Sequence, residues 1–591
     1  MTLEWLHPGL VLIVGAWLLP LLRGRLKRAA MLGLPAAALI LCILSEPGTH
    51  GVVSFLGQDV VFGRVDSLSL IFSYVFSGLA LLGMVFALHV DDDFQHVSAL
   101  TYAGGALGVT FAGDFLSLYV FWELMAIASV LLVWLGGQRS SVPAGFRYLL
   151  VHVFGGLLLL AGIVLYWSES GSLAFGDMGD FAGSVSWWLI LAAFLLNAAV
   201  PPLGAWLPDA YPEASVTGAV FMTAFTTKSA VYVLIRGFPA TELLIWIGAA
   251  MAIYGVVYAV LENDARRLLA YHIISQVGYM VCGVGIGTEL ALNGATAHAF
   301  AHILYKALLF MGAGAVLEVT GRRKLSEMGG LYKTMPITLG LYMVGAFAIS
   351  AVPLFSGFVS KSMVVSAAGE AQRASVFLML TLASAGTFLH TGLKLPYYMF
   401  FGKDTRDTSL QGREPPGNML VAMGLAATLC LAIGVFPGLL YERLPHVVDY
   451  VPYTLAHVTS TLGMLAFTAL GFFLLLKHLD PVLTISLDTD WFYRRSSAGF
   501  AKVMRGPLTR LEYGFVGEIY QLVIRGPVLG VAELLRRVDT GVVDFVAVGI
   551  GRSTQASSRV LRTLVSGHSQ HYALMMAAGI LALLVLAVLL S

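Results

Sequence analysis

Long apolar runs follow one another along the whole chain. Two of them are "LSLIFSYVFSGLALLGMVFALHV" and "YALMMAAGILALLVLAVLL". Runs of about 18 or more apolar residues are typical of membrane-spanning helices. The runs do not alternate between apolar and polar positions, as the strands of a membrane barrel do. The pattern therefore predicts an all-α polytopic membrane protein with about sixteen transmembrane helices, each close to the usual length of about 20 residues.

The polar loops between these runs predict how the chain is oriented. Loops such as "GGQRSS", "ENDARR" and "GKDTRD" contain Arg, whereas "EPGTHG" and "SESGSLAFGDMGDFAG" contain neither Lys nor Arg. Because cytoplasmic loops carry an excess of Lys and Arg, we expect the first group inside and the second outside. Both termini are then outside. The start of the chain also lacks the basic residues of a cleavable signal peptide.

Two segments interrupt their apolar runs with proline. The first contains Pro201, Pro202, Pro208 and Pro212, and the second contains Pro353. Proline removes a backbone donor and breaks a helix, and such a break at membrane depth is tolerated only inside protein or beside a cavity. Paired interrupted segments point to a transport site between inverted repeats, and their spacing here fits repeats of about five helices.

The chain changes character near Leu479. The stretch "DTDWFYRRSSAGFAKVMRGPLTRLEY" is mixed and basic, and "VLGVAELLRRVDTGVVDFVAVG" has the apolar and charged faces of an amphipathic helix. This second stretch is either a lateral helix along the membrane or an ordinary cytoplasmic extension. The expected organisation is N-terminal helices in 1–97, a first inverted repeat in 98–240, a second in 241–403, additional helices in 404–477, a cytoplasmic-side amphipathic segment in 478–570 and a final helix in 571–591.

Composition narrows the class of protein further. The chain is 58% hydrophobic and only 12% charged, with a net charge of +1, so there is no electrostatic case for binding nucleic acid. Cys42, Cys282 and Cys430 stand singly in apolar segments, which is typical of core residues and not of a metal site or a disulfide framework. No dinucleotide or phosphate-binding motif is present. We therefore expect no cofactor and no bound metal.

Ionisable residues lie inside several apolar runs, although a charge at the centre of a span costs roughly 2.5 to 3.5 kcal/mol. Lysines outnumber the one deep glutamate, so they cannot all be neutralised as ion pairs. His298, His302 and Lys306 recur every four residues and so share one face of a helix. Lysines linked by histidine and water are what a proton relay needs. The predicted relay consists of Glu123, Lys228, His298, His302, Lys306 and Lys361.

Other ionisable residues have an equally good structural interpretation. His152 and His390 can be core histidines with local hydrogen bonds, and Lys394 is close enough to the inner end of its span to extend toward the interface. Asp114, at the start of the helix that carries Glu123, can be a helix N-cap. For these residues both the structural interpretation and the relay stay open.

Six motifs resemble a known family. They are "FWELM" at 121–125, "PPLGAWLPDA" at 201–210, "TTKSAVYVLIR" at 226–236, "RRLLAYHIISQVGYM" at 266–280, "HAFAHILYKALLF" at 298–310 and "PLFSGFVSK" at 353–361. Together they resemble the antiporter-like proton-pumping family, which contains the large membrane subunits of respiratory complex I and the A and D subunits of Mrp-type sodium/proton antiporters. The resemblance implies two inverted five-helix repeats, each with a broken helix, and a polar axis along the membrane midplane.

The resemblance also implies roles for individual residues. Glu123 matches the family's glutamate on the fifth helix, Lys228 matches the central lysine or histidine on the eighth, and Lys361 matches the residue where protons are thought to exit. The cluster that links the two halves matches His298, His302 and Lys306. Further relay candidates are Asp114, Asn197, His272, His390 and Lys394.

One position departs from the family pattern. The family usually has a lysine on the first broken helix, paired with the glutamate, and here that place is Asn197. An amide can neither carry the proton nor form the charge pair. Either Glu123 pairs with Lys228 instead, or the entry half-channel is altered or inactive.

Three functions fit these features. The core motifs resemble the D subunit of Mrp antiporters, which implies a proton-translocating subunit of a cation/proton antiporter in a bacterial inner membrane, with other membrane subunits as partners. The tail resembles that of the largest antiporter-like subunit of complex I, so a subunit of an NADH:quinone oxidoreductase or a membrane-bound hydrogenase is the second candidate. The third is a scaffold or coupling subunit that does not conduct. Whether the chain takes part in an enzymatic reaction stays open: we expect a transporter subunit, which is at most part of a proton-translocating oxidoreductase complex.

Overall fold

The computed structural model describes residues 5–55, 57–402, 413–479, 517–564 and 567–590, with eight single residues from 488 to 514. Most of the predicted loop "GKDTRD", the predicted boundary at 403 and most of the basic stretch after Leu479 lie outside these residues. The chain divides into two compact units, Met1–Trp491 and Phe492–Ser591. The other predicted domain boundaries stay predictions.

The first unit is built mainly from helices, which confirms the predicted fold class. Before the first break the helices are α1 (Pro8–Leu18), α2 (Gly24–Leu44), α3 (Ser67–Phe86), α4 (Asp93–Phe111), α5 (Phe115–Trp134), α6 (Ser141–Ser170) and α7 (Val185–Asn197). From that break onward they are α8 (Trp206–Ala210), α9 (Val216–Met222), α10 (Thr226–Gly237), α11 (Glu242–Leu261), α12 (Ala265–Ile286), α13 (Glu289–Thr320), α14 (Pro336–Ile349), α15 (Ser356–Glu370), α16 (Ala374–Thr387), α17 (Gly417–Val435), α18 (Gly438–Tyr441) and α19 (Leu455–Leu475).

The helices have the length and composition of membrane spans. In the described part of the chain, 12 helical segments are long and apolar enough to cross a bilayer, and three shorter apolar helices accompany them. The chain is a multi-pass membrane protein. The predicted number of about sixteen crossings, set by the usual span of about 20 residues, stays a prediction.

Two sheet strands were not predicted. β1 (Gly48–Phe55) and β2 (Gln58–Val65) form an antiparallel hairpin. The backbone amide of Val61 donates to Asp114 Oδ2 at 2.7 Å, and Gly113 N donates to Val61 O at 2.9 Å. The hairpin is thereby attached to the start of α5.

Both predicted helix breaks are present. α7 ends at Asn197 and α14 ends at Ile349, and each end is followed by an alanine with positive φ, Ala199 at 61° and Ala351 at 56°. A third break, between α9 and α10, was not predicted, because no proline or glycine marks the residues between the two helices. It lies directly before Lys228.

A local arrangement recurs in the two halves of the first unit. Asp114 is the N-cap of α5 and pairs with Ala174 in an isolated antiparallel bridge. Asp264 is likewise the N-cap of α12 and pairs with Lys324. In this correspondence α6 matches α13 and α7 matches α14, as the predicted repeats require. The two repeats themselves, and their inverted orientation in the membrane, stay predictions.

The central helices are the most enclosed. The most apolar window of Val216–Gly237 is 100% buried, and those of Ala265–Ile286 and Glu289–Thr320 are 94% and 89% buried, against 11% for Leu455–His478. The three enclosed segments carry Lys228 and the ionisable cluster of α13. These costly residues therefore lie against protein and not against lipid.

The second unit is also helical in its described part. Helices Gly526–Val538 and Asp544–Leu564 cover the sequence predicted to be amphipathic, and Ser569–Leu590 is the predicted final span. Glu533 accepts hydrogen bonds at 2.7 Å from both Arg536 Nε and Arg536 Nη2.

Candidate functional site

The centre of the site is the polar face of α13. His298, His302 and Lys306 are fully buried. His298 links three helices, because its Nε2 lies 3.2 Å from Gln276 Oε1 on α12 and its Nδ1 lies 3.2 Å from Ser360 Oγ on α15. Sequence reasoning identified His298 but missed these two partners. A glutamine inside the apolar run of α12 was the available signal.

Among the described residues, the side-chain nitrogens of His302 and Lys306 have no hydrogen-bond partner. Both ring nitrogens of His302 and the Nζ of Lys306 are buried without a hydrogen bond. The Lys306 Nζ lies 6.0 Å from the ring centre of Phe310. Because buried polar groups are almost always hydrogen-bonded, ordered water is the partner that these nitrogens require.

Lys228 is held by the break before it. Its Nζ donates to the carbonyl of Thr223 at 2.8 Å and to Thr227 Oγ1 at 3.0 Å. Because α9 ends just before Thr223, that carbonyl has no partner within the helix. The C-terminal end of a helix also carries partial negative charge, which favours a cation such as Lys228. The alternative in which Glu123 pairs with Lys228 is therefore not what the structure contains.

Arg236 fixes the other end of the helix that carries Lys228. It donates to Asp66 Oδ2 at 2.8 Å and to Asp66 Oδ1 at 2.9 Å. Asp66 is the N-cap of α3. Burial acts to raise the pKa of Asp66, but the hydrogen bonds and charge of Arg236 hold that pKa below its ordinary value. This ion pair anchors α10 and so positions Lys228.

Lys361 bridges the second predicted break. Its Nζ donates to the carbonyl of Ile349, the last residue of α14, at 2.8 Å, and lies 5.2 Å from the ring centre of Tyr279. Lys361 also lines a cavity of about 220 Å³ with hydroxyl side chains and His457. The second break thus places a lysine beside a cavity that both hydroxyl and apolar side chains line.

Glu123 lies on α5 against α6. Its Oε1 is buried without a hydrogen bond, and a Cβ added to Gly156 would lie 1.9 Å from that oxygen. The absence of a side chain at Gly156 therefore makes room for the carboxyl group. Among the described residues Glu123 forms no ion pair.

Asn197 and His152 lie near the same part of α6. Asn197 Oδ1 is buried without a partner, and a Cβ on Gly155 would lie 3.8 Å from it. His152 Nδ1 lies 2.8 Å from the carbonyl of Tyr148, while its Nε2 has no partner. Its ring packs edge-on against Trp206, with the ring centres 4.6 Å apart.

The remaining candidates divide into two kinds. His272 and His390 face each other with ring centres 6.1 Å apart, and Lys394 Nζ donates to the carbonyl of Val260 at 2.6 Å. His390 and Lys394 lie in a π-helical continuation of α16 that sequence reasoning missed, and such turns are frequent at functional sites. Asp114, by contrast, is a helix N-cap.

Asp114 is fully used by that structural role. It accepts hydrogen bonds from the amides of Leu116 at 2.8 Å and Ser117 at 2.9 Å, besides that of Val61. The N-cap interpretation is confirmed for this residue.

Known proteins share this part of the chain. Residues 112–389 match the family model described as NADH:quinone oxidoreductase/Mrp antiporter, TM. The D subunit of the Na(+)/H(+) antiporter of Alkalihalophilus pseudofirmus is 32% identical over 378 residues, which are 61% of this chain and 76% of that relative. The chain belongs to this family. The matched range contains the predicted relay residues from Asp114 to Lys361, while His390 and Lys394 lie just beyond it.

Other members of the family show how widely it extends. The N subunit of the NADH-quinone oxidoreductase of Desulforudis audaxviator is 32% identical over 372 residues, which are 58% of this chain and 74% of that one. The Hydrogenase-4 component B of Escherichia coli is 30% identical and is covered over 64% of its length.

Two solved structures share the fold of this family member. A chain of the Mrp complex from Dietzia sp. DQ12-45-1b has a TM-score of 0.73 at 24% identity, and the match covers 89% of this chain but only 62% of that one. A chain of the membrane-bound sulfane sulfur reductase, an archaeal respiratory membrane complex, has a TM-score of 0.69 at 23% identity and is covered over 99% of its length.

Proposed function

We propose that this family member is the proton-translocating membrane subunit of a multisubunit cation/proton antiporter, equivalent to the D subunit of Mrp complexes. The observation that carries the proposal is the set of enclosed lysines, Lys228, Lys306 and Lys361, none of which forms an ion pair among the described residues. Buried charges in purely structural roles are paired. Unpaired, enclosed lysines are instead suited to gaining and losing protons.

The lysines act on one another through space. Lys228 and Lys306 are close enough to interact electrostatically, and His272 lies within reach of both Lys306 and Lys361. Like charges in a poorly screened interior repel strongly. A proton that binds Lys228 therefore makes the charged form of Lys306 less favourable. Lys306 then releases its own proton toward the next group.

The proposed route runs from the Glu123 side to the second break. Protons enter near Glu123, pass Lys228 and the polar face of α13, and leave by Lys361. The cavity of about 220 Å³ beside Lys361 supports this exit. His272, His390 and Lys394 form a second branch of polar groups.

The proposed setting is a bacterial inner membrane with both chain termini outside. The Arg-containing loops on one side and the loops free of Lys and Arg on the other support this orientation. The proposed partners are other membrane subunits, because relatives are named as subunits of antiporters and oxidoreductases. The transported species are protons, exchanged for sodium or potassium by the whole complex.

A second candidate function is favoured by one observation. The match to the sulfane sulfur reductase chain covers 98% of this chain and 99% of that one, whereas the Mrp chain is covered over 62%. The same relay would then be driven by electron transfer in a partner subunit. Purification of the native complex and identification of its subunits decides between the two.

The relay is tested by Lys306→Ala in everted membrane vesicles, with proton uptake followed by a pH-sensitive dye. We expect proton flux to fall by at least about tenfold, because a group that transfers protons is removed. Lys333→Ala is the matched control, since Lys333 is exposed on the surface. Normal flux in a well-expressed Lys306→Ala variant would falsify the proposal.

A further inference from the structure

A cavity of about 430 Å³ lies where the turn between α1 and α2 meets the loop between α3 and α4. Arg23, Lys27 and Arg28 line it on the side of α2, and Asp91 and Asp93 line it on the side of the loop. Ligand sites in proteins have volumes of about 300 to 1,000 Å³. The cavity is therefore large enough for a small polar group, and the charges of its lining indicate which group it suits.

The lining is basic on balance. Three basic and two acidic residues line the cavity, which gives a net charge of +1. Lys27 and Asp93 form an ion pair with each other. Within the described part of the chain, neither Arg23 nor Arg28 has a charged partner. Guanidinium groups of this kind suit phosphate, because their fork of N–H donors matches its oxygens.

The start of α2 adds to this positive character. Its N-cap residue, Arg23, makes no side-chain hydrogen bond to the first turn. The first amides of a helix have no acceptor within the helix, and that end carries partial positive charge. An anion in the cavity is therefore stabilised by the arginine side chains and by the helix end together.

The surface beside the cavity is apolar and exposed. Leu18, Leu21 and Leu26 flank the basic residues along the chain and are 53%, 77% and 64% exposed. Only 22% of the most apolar window of α2 is buried inside the protein. Leu22 and Met31 also line the cavity itself. A ligand here thus meets basic groups and, directly beside them, a surface suited to hydrocarbon.

We propose that this cavity binds the phosphate group of an anionic phospholipid such as phosphatidylglycerol. Arg23 and Arg28 donate to the phosphate oxygens, and the acyl chains lie along the exposed leucines of α1 and α2. One negative charge balances the net charge of the lining, whereas a zwitterionic lipid also brings a cation. Basic pockets between the cytoplasmic ends of transmembrane helices bind anionic headgroups, and the proposed orientation puts this end of α2 on the cytoplasmic side.

The inference goes beyond the proposed function and does not depend on it. None of the proposed relay residues lines this cavity. The binding is measured without any flux, so a failure of the relay and a failure of the lipid site are distinguishable.

The test is native mass spectrometry of the purified native complex, depleted of lipid and exposed to a concentration series of phosphatidylglycerol or phosphatidylcholine. An ionic strength of about 0.15 M limits the reach of each charge to about 8 Å. We expect saturable binding of phosphatidylglycerol in preference to phosphatidylcholine. Arg23→Gln and Arg28→Gln should each weaken this binding about fivefold.

Arg25→Gln is the matched control, because Arg25 lies between the two arginines in the sequence but does not line the cavity. It removes the same charge and should change the affinity by less than about twofold, since its charge is screened from the site. An equal loss in Arg25→Gln would reduce the effect to the general charge of this end of α2 and overturn the inference.

Asp91→Asn tests the site in the opposite direction. It removes an acidic group that lines the cavity and should strengthen the binding of phosphatidylglycerol about fivefold, a gain that a poorly folded variant cannot produce. Inorganic phosphate at matched ionic strength, which lacks acyl chains, should not displace the lipid. The inference is overturned by displacement of the lipid by phosphate, by equal binding of phosphatidylcholine, or by unchanged affinity in Asp91→Asn or in the two arginine variants.

Discussion

The two broken helices have matching backbones but different donors at the gap. At the first break, the carbonyl of Leu196 accepts a hydrogen bond from the indole of Trp206. At the second, the carbonyl of Ile349 accepts one from Lys361. The first donor is always neutral, whereas the second can gain or lose a charge. The neutral donor meets the carbonyl three residues before Ala199, and the titratable donor meets the carbonyl two residues before Ala351, so the two breaks are bonded at neighbouring positions by different chemistry.

The corresponding helices α6 and α13, which precede the two broken helices, also differ in the ionisable group that they provide. On α13 the long side chain of Lys306 provides the ionisable group itself. The corresponding residue of α6 is Gly156. The carboxyl group of Glu123, on the neighbouring helix α5, occupies the space where a side chain at 156 would lie. At these corresponding places the first half therefore presents a carboxyl group and the second half an amine.

The largest effect is expected at Lys361. Lys361→Met removes the titratable donor of the second break and should lower proton flux by at least about tenfold. It also leaves the carbonyl of Ile349 without its partner, at a cost of about 1 to 3 kcal/mol. Flux in everted vesicles and thermal unfolding of the purified protein measure the two effects. Undiminished flux would show that the second break does not carry protons.

A smaller effect is expected from a single methyl group on α6. In Gly156→Ala the new Cβ overlaps Glu123 Oε1, so the carboxyl group must move and flux should fall several-fold. Gly155→Ala is the matched control, because its Cβ would meet the flexible end of Leu196 at 3.2 Å and Asn197 Oδ1 only at an ordinary contact distance of 3.8 Å. Both changes gain about 0.5 to 1 kcal/mol of helix propensity. Equal flux in the two variants would contradict the role of Gly156.

At the first break, where the donor is the neutral indole of Trp206, a substitution should lower the stability of the protein without changing transport. Trp206→Phe removes one hydrogen bond, worth about 1 kcal/mol, and should change flux by less than about twofold if the ring position is kept. Trp188→Phe is the control, since Trp188 is half exposed. Thermal unfolding and vesicle flux are compared for both. A tenfold loss of flux in Trp206→Phe, by the scale expected of a proton-transfer group, would make the two breaks equivalent and end the comparison.

The smallest effect on transport is expected at Asp114. Asp114→Asn keeps an N-cap side chain but loses one carboxylate oxygen, so stability should fall by about 1 kcal/mol. Flux should not change, because Asp114 is occupied by hydrogen bonds to backbone amides. A clear loss of flux in the folded variant would return Asp114 to the relay.

Much of this fold could be predicted from the sequence, because a bilayer imposes long apolar helices and makes each interruption visible. The shared face of the α13 residues followed from helical periodicity alone. The break before Lys228 could not be predicted, because no proline or glycine marks it. The β1–β2 hairpin was not predicted either, because its strands lie between two long apolar runs and carry no strong turn signal.

The candidate site was predicted in its residues but not in its pairings. The opposite charges of Glu123 and Lys228 suggested an ion pair. In the structure the Nζ of Lys228 instead donates a hydrogen bond to the carbonyl of Thr223. The importance of Gly156 was also invisible, since a glycine in an apolar run has no chemical signal. Which groups meet across helices depends on packing that a single sequence does not contain.

The end of α7 has a consequence for how this family can evolve. The amides of Ala198, Ala199 and Val200 already satisfy the carbonyls of Phe194, Leu196 and Leu195, so the backbone is complete without the side chain of Asn197. A change of one codon at position 197 can exchange an amide for a lysine without rebuilding the helix end. Position 197 can therefore change between a neutral amide and a fixed positive charge in a single mutational step.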